Sequence, residues 1–424
     1  MEQVHGSHKA SKFAPEDVIS TMPDDVIINI LNRLPLQDAV RTSILSKNWK
    51  HNWNMITQLV FNEDFYEYLQ EKEKEKDYKT IINMFLTHLK GAITKFVLYI
   101  QEDNAVDVED INKWVLFLSQ KGIQEFTLKN MDETPLEFPA HLFSCLQLKH
   151  LKLFNCHICP ESSFHGFPGL LSLCLSEVVF GSYTCGEFIA CCPLLEILKL
   201  RSNTGGKIKR DEIAKLENLK VLILQLRELE YKAIITSSSI FQLVGYFPKL
   251  QELNLNFWKR KLSADAEMSV LTALPYLKTL RLYEIDFSNA VMVSFAIDLI
   301  CGLPNVETLL IKAGYEDDVP VHVVSSSKVD FSKLKLLQLR KVEIVSVRCT
   351  EIEICWMESL LACSPLLKKM VISPESSNVF FADDGEREFA KALKQHRASP
   401  VAEIVIDSAN RARTSHVYPH VLLN

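Results

Sequence analysis

The residues best suited to chemistry are the two cysteines and the histidine of "CHIC", residues 156–159. Two cysteines at this spacing could begin a zinc site, but structural zinc normally takes four ligands, and no second pair follows at a matching distance. A cysteine at the end of a strand in a repeat is the favoured explanation for Cys156. We therefore expect no metal and no cofactor.

Three other stretches could hold an anion. The stretch "TGGKIK" from Thr204 has the glycines and lysine of a phosphate loop, but the full Gly-x-x-x-x-Gly-Lys-Ser/Thr pattern is absent, which favours an ordinary loop. The basic clusters "KIKR" at Lys207 and "WKRK" at Trp258 could line a site for an anion or an acidic partner, although solvated loops are the favoured account.

Catalytic signatures are missing from the sequence. Neither Gly-x-Ser-x-Gly nor His-Glu-x-x-His occurs, and the 12 histidines have no partnered nucleophile in sequence. We therefore expect a binding protein and not an enzyme. An enzyme with its site among the repeats is a minor hypothesis that would require a deep pocket with convergent titratable groups.

Composition narrows the class further. The 424 residues are 47% hydrophobic and 24% charged, which is normal for a folded chain, and the net charge of -6 argues against a protein devoted to nucleic acid. No apolar run approaches the roughly 20 residues of a membrane span, and no secretory signal is visible. The 11 cysteines, scattered through apolar runs, predict reduced thiols and a location in the cytoplasm, the nucleus or both.

An internal repeat dominates the organisation of the chain. The template apolar-x-x-apolar-x-apolar recurs at starts 22 to 34 residues apart, close to the leucine-rich-repeat period of roughly 20 to 29. The copies are "ITKFVL" from Ile93, "IQEFTL" from Ile123, "LKHLKL" from Leu148, "LLSLCL" from Leu170, "LEILKL" from Leu195, "LKVLIL" from Leu219, "LQELNL" from Leu250, "LKTLRL" from Leu277, "VETLLI" from Val306, "LKLLQL" from Leu334, "LKKMVI" from Leu367 and "VAEIVI" from Val401.

The repeat predicts an α/β fold, a leucine-rich-repeat solenoid with a parallel sheet, helices and a horseshoe-like form. Helical runs between the strands stop at proline, as in "EFIACCP", "IFQLVGYFP", "AIDLICGLP" and "WMESLLACSP". The consensus Asn or Cys after the last leucine is clear only at Cys156 and Asn203. Before the repeats, the charge run from Glu71 to Asp77 predicts a solvated helix or linker.

The amino-terminal stretch predicts three short helices. Ser20 or Thr21 could cap the first, whose early turn holds Pro23, Asp24 and Asp25, all suited to a helix amino terminus. Helical spacing places Val26, Ile27, Ile30, Leu31 and Leu34 on one apolar stripe. A second helix would carry Leu36, Ala39, Val40, Ser43 and Ile44, and Trp49 and Trp53 would begin the third. Three helices of this length form too small a core to be very stable alone. We therefore expect them to present a surface to a partner protein. The alternative is that they only cap the first repeat.

This module carries a family resemblance. The stretch "MPDDVIINILNRLPLQDAVRTSILSKNWKHNW" resembles the F-box of plant F-box proteins, with Met22 where leucine is usual. Near the other end, "LLACSPLLKKMVI" and "FAKALKQHRASPVAEIVI" resemble the FBD segment of the plant F-box/FBD/leucine-rich-repeat protein family. The corresponding domains would be a disordered tail (1–15), the F-box (16–55), a charged linker or helix (56–90), leucine-rich repeats (91–349), an FBD segment (350–410) and a tail (411–424).

The resemblance implies a non-catalytic substrate receptor of an adaptor-cullin-F-box ubiquitin ligase, with a Skp-family adaptor and, through it, cullin as partners. The target protein and its binding residues are unknown, and an adaptor-bound or free interaction scaffold that leaves its partner unmodified is the alternative. Nothing in the residues identifies a small-molecule pocket. The adaptor-binding residues implied by the resemblance are Met22, Pro23, Asp24, Ile27, Ile30, Leu34, Pro35, Leu36, Val40, Leu45 and Trp49, some of which must instead hold the helices together.

Overall fold

The chain forms two compact units, Met1–Phe126 and Thr127–Asn424, in a computed structural model. The structure describes residues 21–47, 49–72, 77–101, 106–160, 164–204, 208–228, 234–258, 261–263, 274–315, 329–375 and 385–407. The two predicted tails and most of the charge run fall outside these residues, as do parts of the "TGGKIK", "KIKR" and "WKRK" stretches.

The first unit begins with short helices and continues into strands. Strands β1 and β2 pair in parallel, with Gln58 opposite Lys95. The elements are α1 (Asp24–Leu31), α2 (Leu36–Arg41), 3-10 helices at Thr42–Ile44 and Trp49–Met55, β1 (Gln58–Phe61), α3 (Glu63–Lys72), α4 (Tyr78–His88), β2 (Lys95–Ile100) and α5 (Val108–Gln120).

The sheet starts earlier than the sequence analysis placed it. Strand β1 lies inside residues 56–90, the predicted charged linker or helix, and α3 and α4 occupy most of the remainder. The stretch "ITQLVF" from Ile56 fits the repeat template, and Ile56, Leu59 and Phe61 are fully buried. The three-helix module therefore shares its compact unit with strands, and 56–90 is folded chain where the structure describes it.

Aromatic side chains form much of the core of the first unit. The ring of Phe61 contacts Phe65, Tyr78 and Phe85 edge to face, with centroids 5.4, 6.4 and 5.7 Å away. Such edge-to-face pairs are favourable beyond their buried area because the positive ring edge meets the negative ring face. Trp53 of the second 3-10 helix also contacts Phe85, at 5.7 Å, which connects the amino-terminal helices to this core.

The second unit is built on a parallel sheet. Strand β3 (Glu125–Asn130) crosses the boundary between the units, and after it the strands β5-β7-β9-β10-β12-β14-β15-β16-β17-β18 lie side by side in this order. Smaller sheets join β4-β6-β8 and β11-β13. The strands are β4 (Leu136–Glu137), β5 (His150–Phe154), β6 (Cys156–Ile158), β7 (Ser172–Ser176), β8 (Val179–Phe180), β9 (Ile197–Arg201), β10 (Val221–Gln225), β11 (Ile234–Thr236), β12 (Glu252–Asn256), β13 (Lys261–Ser263), β14 (Thr279–Ile285), β15 (Thr308–Ala313), β16 (Lys341–Val347), β17 (Lys369–Pro374) and β18 (Glu403–Ile406).

Helices separate many of these strands, and the four predicted proline stops are confirmed at the ends of α6, α8, α9 and α10. Proline stops a helix because it lacks a backbone N–H and clashes with the preceding turn. The helices are α6 (Cys185–Ala190), α7 (Arg210–Ile213), α8 (Ser237–Val244), α9 (Ala290–Cys301), α10 (Glu351–Ala362) and α11 (Gly385–Leu393), with 3-10 helices at Ala140–Ser144, Leu226–Glu228, Phe331–Lys333 and Lys394–His396. The predicted FBD segment supplies α10, β17, α11 and β18 and so extends the same sheet.

The predicted fold class, a long parallel sheet with helices, is confirmed. Each predicted repeat except the one at Leu334 begins two residues before a strand. The Leu334 prediction is wrong, because Leu334 and Leu336 are buried in a loop and the strand follows from "LRKVEI", which fits the template from Leu339. The closely spaced leucines fit the repeat template at two starting positions, Leu334 and Leu339, and only the packing of the folded chain shows which one begins the strand.

The apolar positions of the repeat template correspond to the buried face of the sheet. In β5, Leu151 and Leu153 are at most 1% exposed, whereas Lys152 between them is partly exposed. Alternate side chains of a strand point to opposite faces, so the leucines pack into the core and the residues between them form an open face.

The cysteines of "CHIC" lie in and just after strand β6. Cys156 is fully buried and its thiol donates to the Phe154 carbonyl at 3.4 Å, while Cys159 is exposed. No group of three or more His, Cys, Asp or Glu in the described ranges could hold a metal ion. All 11 cysteines lie in described segments and are free thiols. None of the helices in the described part of the chain is long and apolar enough to cross a membrane.

Candidate partner-binding surface of the amino-terminal helices

The first helix begins where the sequence changes from proline to acid. Pro23 occupies the N-cap position of α1 with no capping side chain, and Asp24 and Asp25 stand in the first turn, where carboxylates favour the positive end of the helix dipole. The N-cap position is therefore occupied by Pro23 and not by Thr21, and Ser20 lies outside the described residues.

Helix α1 is apolar on two sides, not along one stripe. Ile27 and Leu31, four residues apart, are 5% and 1% exposed and face the core. Val26 and Ile30, also four apart, are 38% and 37% exposed, and Leu34 continues this second row at 37%. Because residues at this spacing share one side of a helix, Val26 and Ile30 form an exposed apolar row, and Leu34 is a third exposed aliphatic residue just beyond the end of α1.

A pair of hydrogen bonds fixes the end of α1. The Asn32 side-chain amide donates to Thr57 Oγ1 at 3.0 Å, and the Thr57 backbone N–H donates to Asn32 Oδ1 at 3.0 Å. Thr57 directly precedes β1, so this exchange ties the helix to the first strand. The exposed row is thereby held on a defined support before any partner binds.

The second helix is shorter than predicted. Helix α2 ends at Arg41, and the chain continues as the 3-10 helix Thr42–Ile44. Ile44 is 85% exposed and the following Leu45 is 62% exposed, although both are large aliphatic residues. Two adjacent, largely exposed aliphatic side chains contribute little buried apolar surface to this fold and form an exposed apolar patch.

Polar contacts anchor the end of α2. The Arg41 guanidinium donates to Asp38 Oδ1 at 3.1 Å and to the Tyr68 hydroxyl at 3.2 Å, and it also lies over the Tyr68 ring. Tyr68 belongs to α3, so Arg41 connects two helices of the unit. This contact fixes the point from which Ile44 and Leu45 project.

The structure divides the predicted adaptor-binding residues by exposure. Pro23, Asp24, Ile30, Leu34, Pro35 and Leu45 are exposed, and Met22 and Val40 are partly exposed. Ile27, Leu36 and Trp49 are buried, at 5%, 5% and 3% exposure. These three hold the helices together, as some members of the set had to do.

Two exposed aliphatic residues of these helices were absent from the predicted set, Val26 and Ile44. The sequence put both on apolar helix faces and offered no means of separating the inner face from the outer one. The sequence carries one partial signal, the surplus of aliphatic residues in α1: a helix of eight residues needs only one row to contact a core, and α1 carries two, but the surplus does not say which row is exposed.

A cavity beside α6 is a concave feature of the second unit that could carry chemistry. It is lined by Ser182, Tyr183, Glu187, Ala190, Cys191, Asp211, Glu212 and Lys215. Glu187 accepts from the Thr184 backbone N–H at 2.8 Å, a bond that lowers the pKa of Glu187, and Glu212 accepts from the Lys209 N–H at 2.7 Å. These two carboxylates therefore stabilise the local backbone.

Two models of known protein families match parts of this chain. The model described as "F-box domain" matches residues 19–57, and the model described as "FBD-associated F-box protein At5g56370, LRR repeats" matches residues 111–234. The F-box/FBD/LRR-repeat protein At1g13570 of Arabidopsis thaliana is 29% identical over 92% of this chain and 98% of its own length. The FBD-associated F-box protein At5g56370 of the same plant is 25% identical over 84% of this chain and 75% of its own.

The helices around α1 thus form an F-box, and the chain is an F-box protein with leucine-rich repeats. The family predicted from the sequence, the plant F-box/FBD/leucine-rich-repeat proteins, is confirmed. Among solved structures, the yeast Rad7 and Elc1 complex is 14% identical and covers 91% of this chain and 94% of the other, with a TM-score of 0.41. An internalin of Listeria monocytogenes, 14% identical, covers 79% and 71% with a TM-score of 0.36.

Proposed function

We propose that this chain is the substrate-recognition subunit of an adaptor-cullin-F-box ubiquitin ligase. The F-box helices dock on a Skp-family adaptor, and the leucine-rich repeats hold the target protein. The proposal rests on one observation: the F-box helices leave five large aliphatic side chains exposed, although other aliphatic side chains of the same helices already form their core. This set, the docking set, comprises Val26, Ile30, Leu34, Ile44 and Leu45.

Burial of this set would stabilise a complex. Transfer of apolar surface from water contributes about 25 cal/mol per Å², and fully burying one large aliphatic side chain contributes about 1.5–3 kcal/mol. The inner row at Ile27 and Leu31 fixes the helix, so docking requires little ordering of the backbone. A pre-formed apolar surface therefore favours a stable contact with the adaptor.

The proposed role needs no catalytic residue in this chain. The receptor holds a target on the same assembly as the charged conjugating enzyme, and it thereby raises the effective concentration of the target lysine near the thioester. The hydrogen-bonded parallel strands of the second unit support this role because they fix the repeats within that unit relative to one another. The free thiols are compatible with the cytoplasm or the nucleus, which we propose as the location.

The test is a quantitative pull-down of the full chain with a purified Skp-family adaptor. The double variant Ile30→Asp/Leu34→Asp places charge on the exposed row while leaving the core row intact, and it should lose binding. Ile27→Asp is unsuitable, because Ile27 is only 5% exposed and a buried charge would disrupt the helix itself.

The matched control is Leu337→Asp/Leu366→Asp, which adds the same charges at exposed leucines of the second unit. The control should bind the adaptor as the wild type does, and circular dichroism should show all three proteins folded. Failure of the wild type to bind the adaptor would refute the proposal.

Ubiquitin transfer distinguishes a receptor from a scaffold. The full chain, adaptor, cullin and conjugating enzyme would be combined with a protein captured by the repeats, and ubiquitin on that protein would be measured. Modification that disappears with Ile30→Asp/Leu34→Asp supports the receptor. A captured protein that binds but stays unmodified supports the scaffold.

A further inference from the structure

The residues of "CHIC" are divided between the two faces of the small sheet β4-β6-β8. Cys156 and Ile158 of β6 are fully buried, whereas His157 is partly exposed and Cys159, just after the strand, is exposed. Because alternate side chains of a strand point to opposite faces, His157 and Cys159 share the outer face. A base and a thiol thus lie two residues apart on one accessible surface.

The neighbouring strand β4 supplies a carboxylate to this face. Glu137 lies directly opposite His157 in the parallel pair of β4 and β6, and His157 Nδ1 lies 2.7 Å from Glu137 Oε1. An ionised carboxylate only accepts hydrogen bonds, so Nδ1 carries the proton and donates it to this bond. The neutral imidazole of His157 then has its lone pair on Nε2, where it can accept a proton.

Strand β8 leaves a gap between the thiol and the imidazole. His157 lies opposite Val179, so Gly181 and Cys159, each two residues further along, lie beside each other. A Cβ on Gly181 would stand 3.2 Å from Cys159 Sγ and 3.2 Å from His157 Nε2. The glycine therefore leaves open a space, about the size of a methyl group, that both reactive atoms border.

A hydroxyl group completes the surroundings of the thiol. Cys159 Sγ and Ser182 Oγ form a hydrogen bond at 3.5 Å. Bonding to Ser182 lowers the pKa of the Cys159 thiol, and the negative charge of Glu137 opposes this lowering. The thiolate is the reactive form of cysteine, so the bond to Ser182 favours reaction. Glu137, His157, Cys159, Gly181 and Ser182 are named here the thiol site.

Accessibility distinguishes this thiol from the others. Among the 11 cysteines, all of which lie in described segments, Cys159 alone is exposed. Burial raises the pKa of the Cys145 thiol to about 11 and that of the Cys156 thiol to about 12. A thiol reacts only as an accessible thiolate, so we expect Cys159 to react first.

We propose that Cys159 is a site of oxidation by hydrogen peroxide, with His157 as the base and acid of the reaction and Glu137 as the residue that positions His157. Cys159 gives its proton to His157 Nε2, directly or through one water, and its sulfur attacks a peroxide oxygen. The S–O bond forms as the O–O bond breaks, and the leaving oxygen takes the proton from Nε2 and departs as water. The sulfur is oxidised to a sulfenic acid, the peroxide is reduced, and His157 returns to its neutral form.

The thiol site fits a peroxide for two reasons. A small molecule can contact Cys159 Sγ and His157 Nε2 together in the gap beside Gly181. Hydroxide is a poor leaving group, so a proton donor at the leaving oxygen assists the reaction. The Ser182 hydroxyl can then donate to the oxygen of the sulfenic acid. Each chain reacts once, so this is a modification site and not an enzyme active site.

The test compares two reagents on the purified full chain at neutral pH. Hydrogen peroxide followed by dimedone reports sulfenic acid at each cysteine by peptide mass spectrometry, and iodoacetamide reports alkylation. Iodide leaves without a proton, so alkylation depends on access and thiolate alone, whereas oxidation also gains from a proton donor. Cys159 should be the first cysteine that dimedone labels. His157→Gln should slow its oxidation by about tenfold or more and its alkylation by less than about threefold.

A second variant tests the positioning residue. Glu137→Gln keeps the size of the side chain and removes the charge that holds the proton on His157 Nδ1. It should slow oxidation of Cys159 by less than His157→Gln does, and it should not slow alkylation, because the charge of Glu137 disfavours the thiolate. Should His157→Gln lose its fold by circular dichroism, Glu137→Gln carries the test.

The matched control is His396→Gln. It removes the histidine of another histidine–carboxylate pair in the second unit, in which His396 Nε2 lies 3.3 Å from Glu358 Oε1. Cys159 of this variant should be oxidised and alkylated at the wild-type rates.

Three results would overturn the proposal. The first is labelling of another cysteine by dimedone before Cys159. The second is oxidation of Cys159 in His157→Gln within about twofold of the wild-type rate. The third is an equal slowing of oxidation and alkylation by His157→Gln, which would show a merely structural role. The adaptor takes no part in these measurements, so their outcome is independent of the proposed function.

Discussion

Removal of Ile44 and Leu45 from the docking set should weaken adaptor binding strongly and leave folding unchanged. Ile44 is 85% exposed and Leu45 is 62% exposed, so Ile44→Ala/Leu45→Ala removes almost no buried surface from the free chain. Exposed substitutions of this kind usually change the free energy of unfolding by less than about 0.5 kcal/mol. The effect on the complex is a separate quantity and can be worked from the same exposures.

Full burial of one such side chain contributes about 2 kcal/mol. Scaled by the two exposed fractions, the complex gains about 3 kcal/mol from the pair, and loss of that amount corresponds to about a hundredfold increase in Kd. This is an upper value, because alanine keeps one carbon of each side chain.

The assay is isothermal titration calorimetry of the full chain with a Skp-family adaptor, alongside urea unfolding of each variant. Leu337→Ala/Leu366→Ala is the control, because these leucines are 62% and 44% exposed but lie in the second unit. The reasoning is refuted if Ile44→Ala/Leu45→Ala binds within about threefold of the wild type, or if it weakens binding only by unfolding the chain.

Three further predictions concern the stability of the core and the reactivity of the thiols. Leu31→Ala, at a residue 1% exposed, should lower the free energy of unfolding by about 2–5 kcal/mol in urea denaturation, and a change within error would contradict the assignment of the inner row. Glu353 is 1% exposed and its carboxylate accepts from the Arg348 N–H at 3.2 Å, so Glu353→Ala should cost about 1–3 kcal/mol for each donor left unpaired, seen as a lower urea midpoint. Bonding to Ser182 lowers the pKa of the exposed Cys159 thiol, whereas burial raises the pKa of Cys192 to about 12. Iodoacetamide at neutral pH should therefore label Cys159 first, as read by peptide mass spectrometry, and early labelling of Cys192 would contradict this order.

The repeats were predictable because their signal is redundant. A leucine at each inward position, as at Leu151 and Leu153, recurs in strand after strand, so a single ambiguous copy does not hide the pattern. The two errors arose where local context was misleading. Ile56 began a copy next to a charged segment that indicated a linker, and Leu334 stood in a leucine-rich loop just before the true strand.

The amino-terminal surface was only partly predictable. Helical spacing identified Val26, Ile27, Ile30 and Leu31 of α1, but Val26 and Ile27 are adjacent in the sequence, similar in chemistry and opposite in exposure. The direction of α1 relative to β1 decides between them, and that direction depends on Asn32 and Thr57, which are 25 residues apart. A pattern within one helix holds no information about such a contact.

Sequence alone determined the repeat architecture, the F-box resemblance and the lack of a catalytic motif. Each of these depends only on which residue types occur at short, regular spacing along the chain. Tertiary structure alone decided which aliphatic residues remain exposed. It also brought together side chains such as Lys152 and Lys199, which lie far apart in the chain and become near neighbours only when β5, β7 and β9 pair. Exposure and charge density depend on distances between segments, and those distances exist only once the sheet has formed.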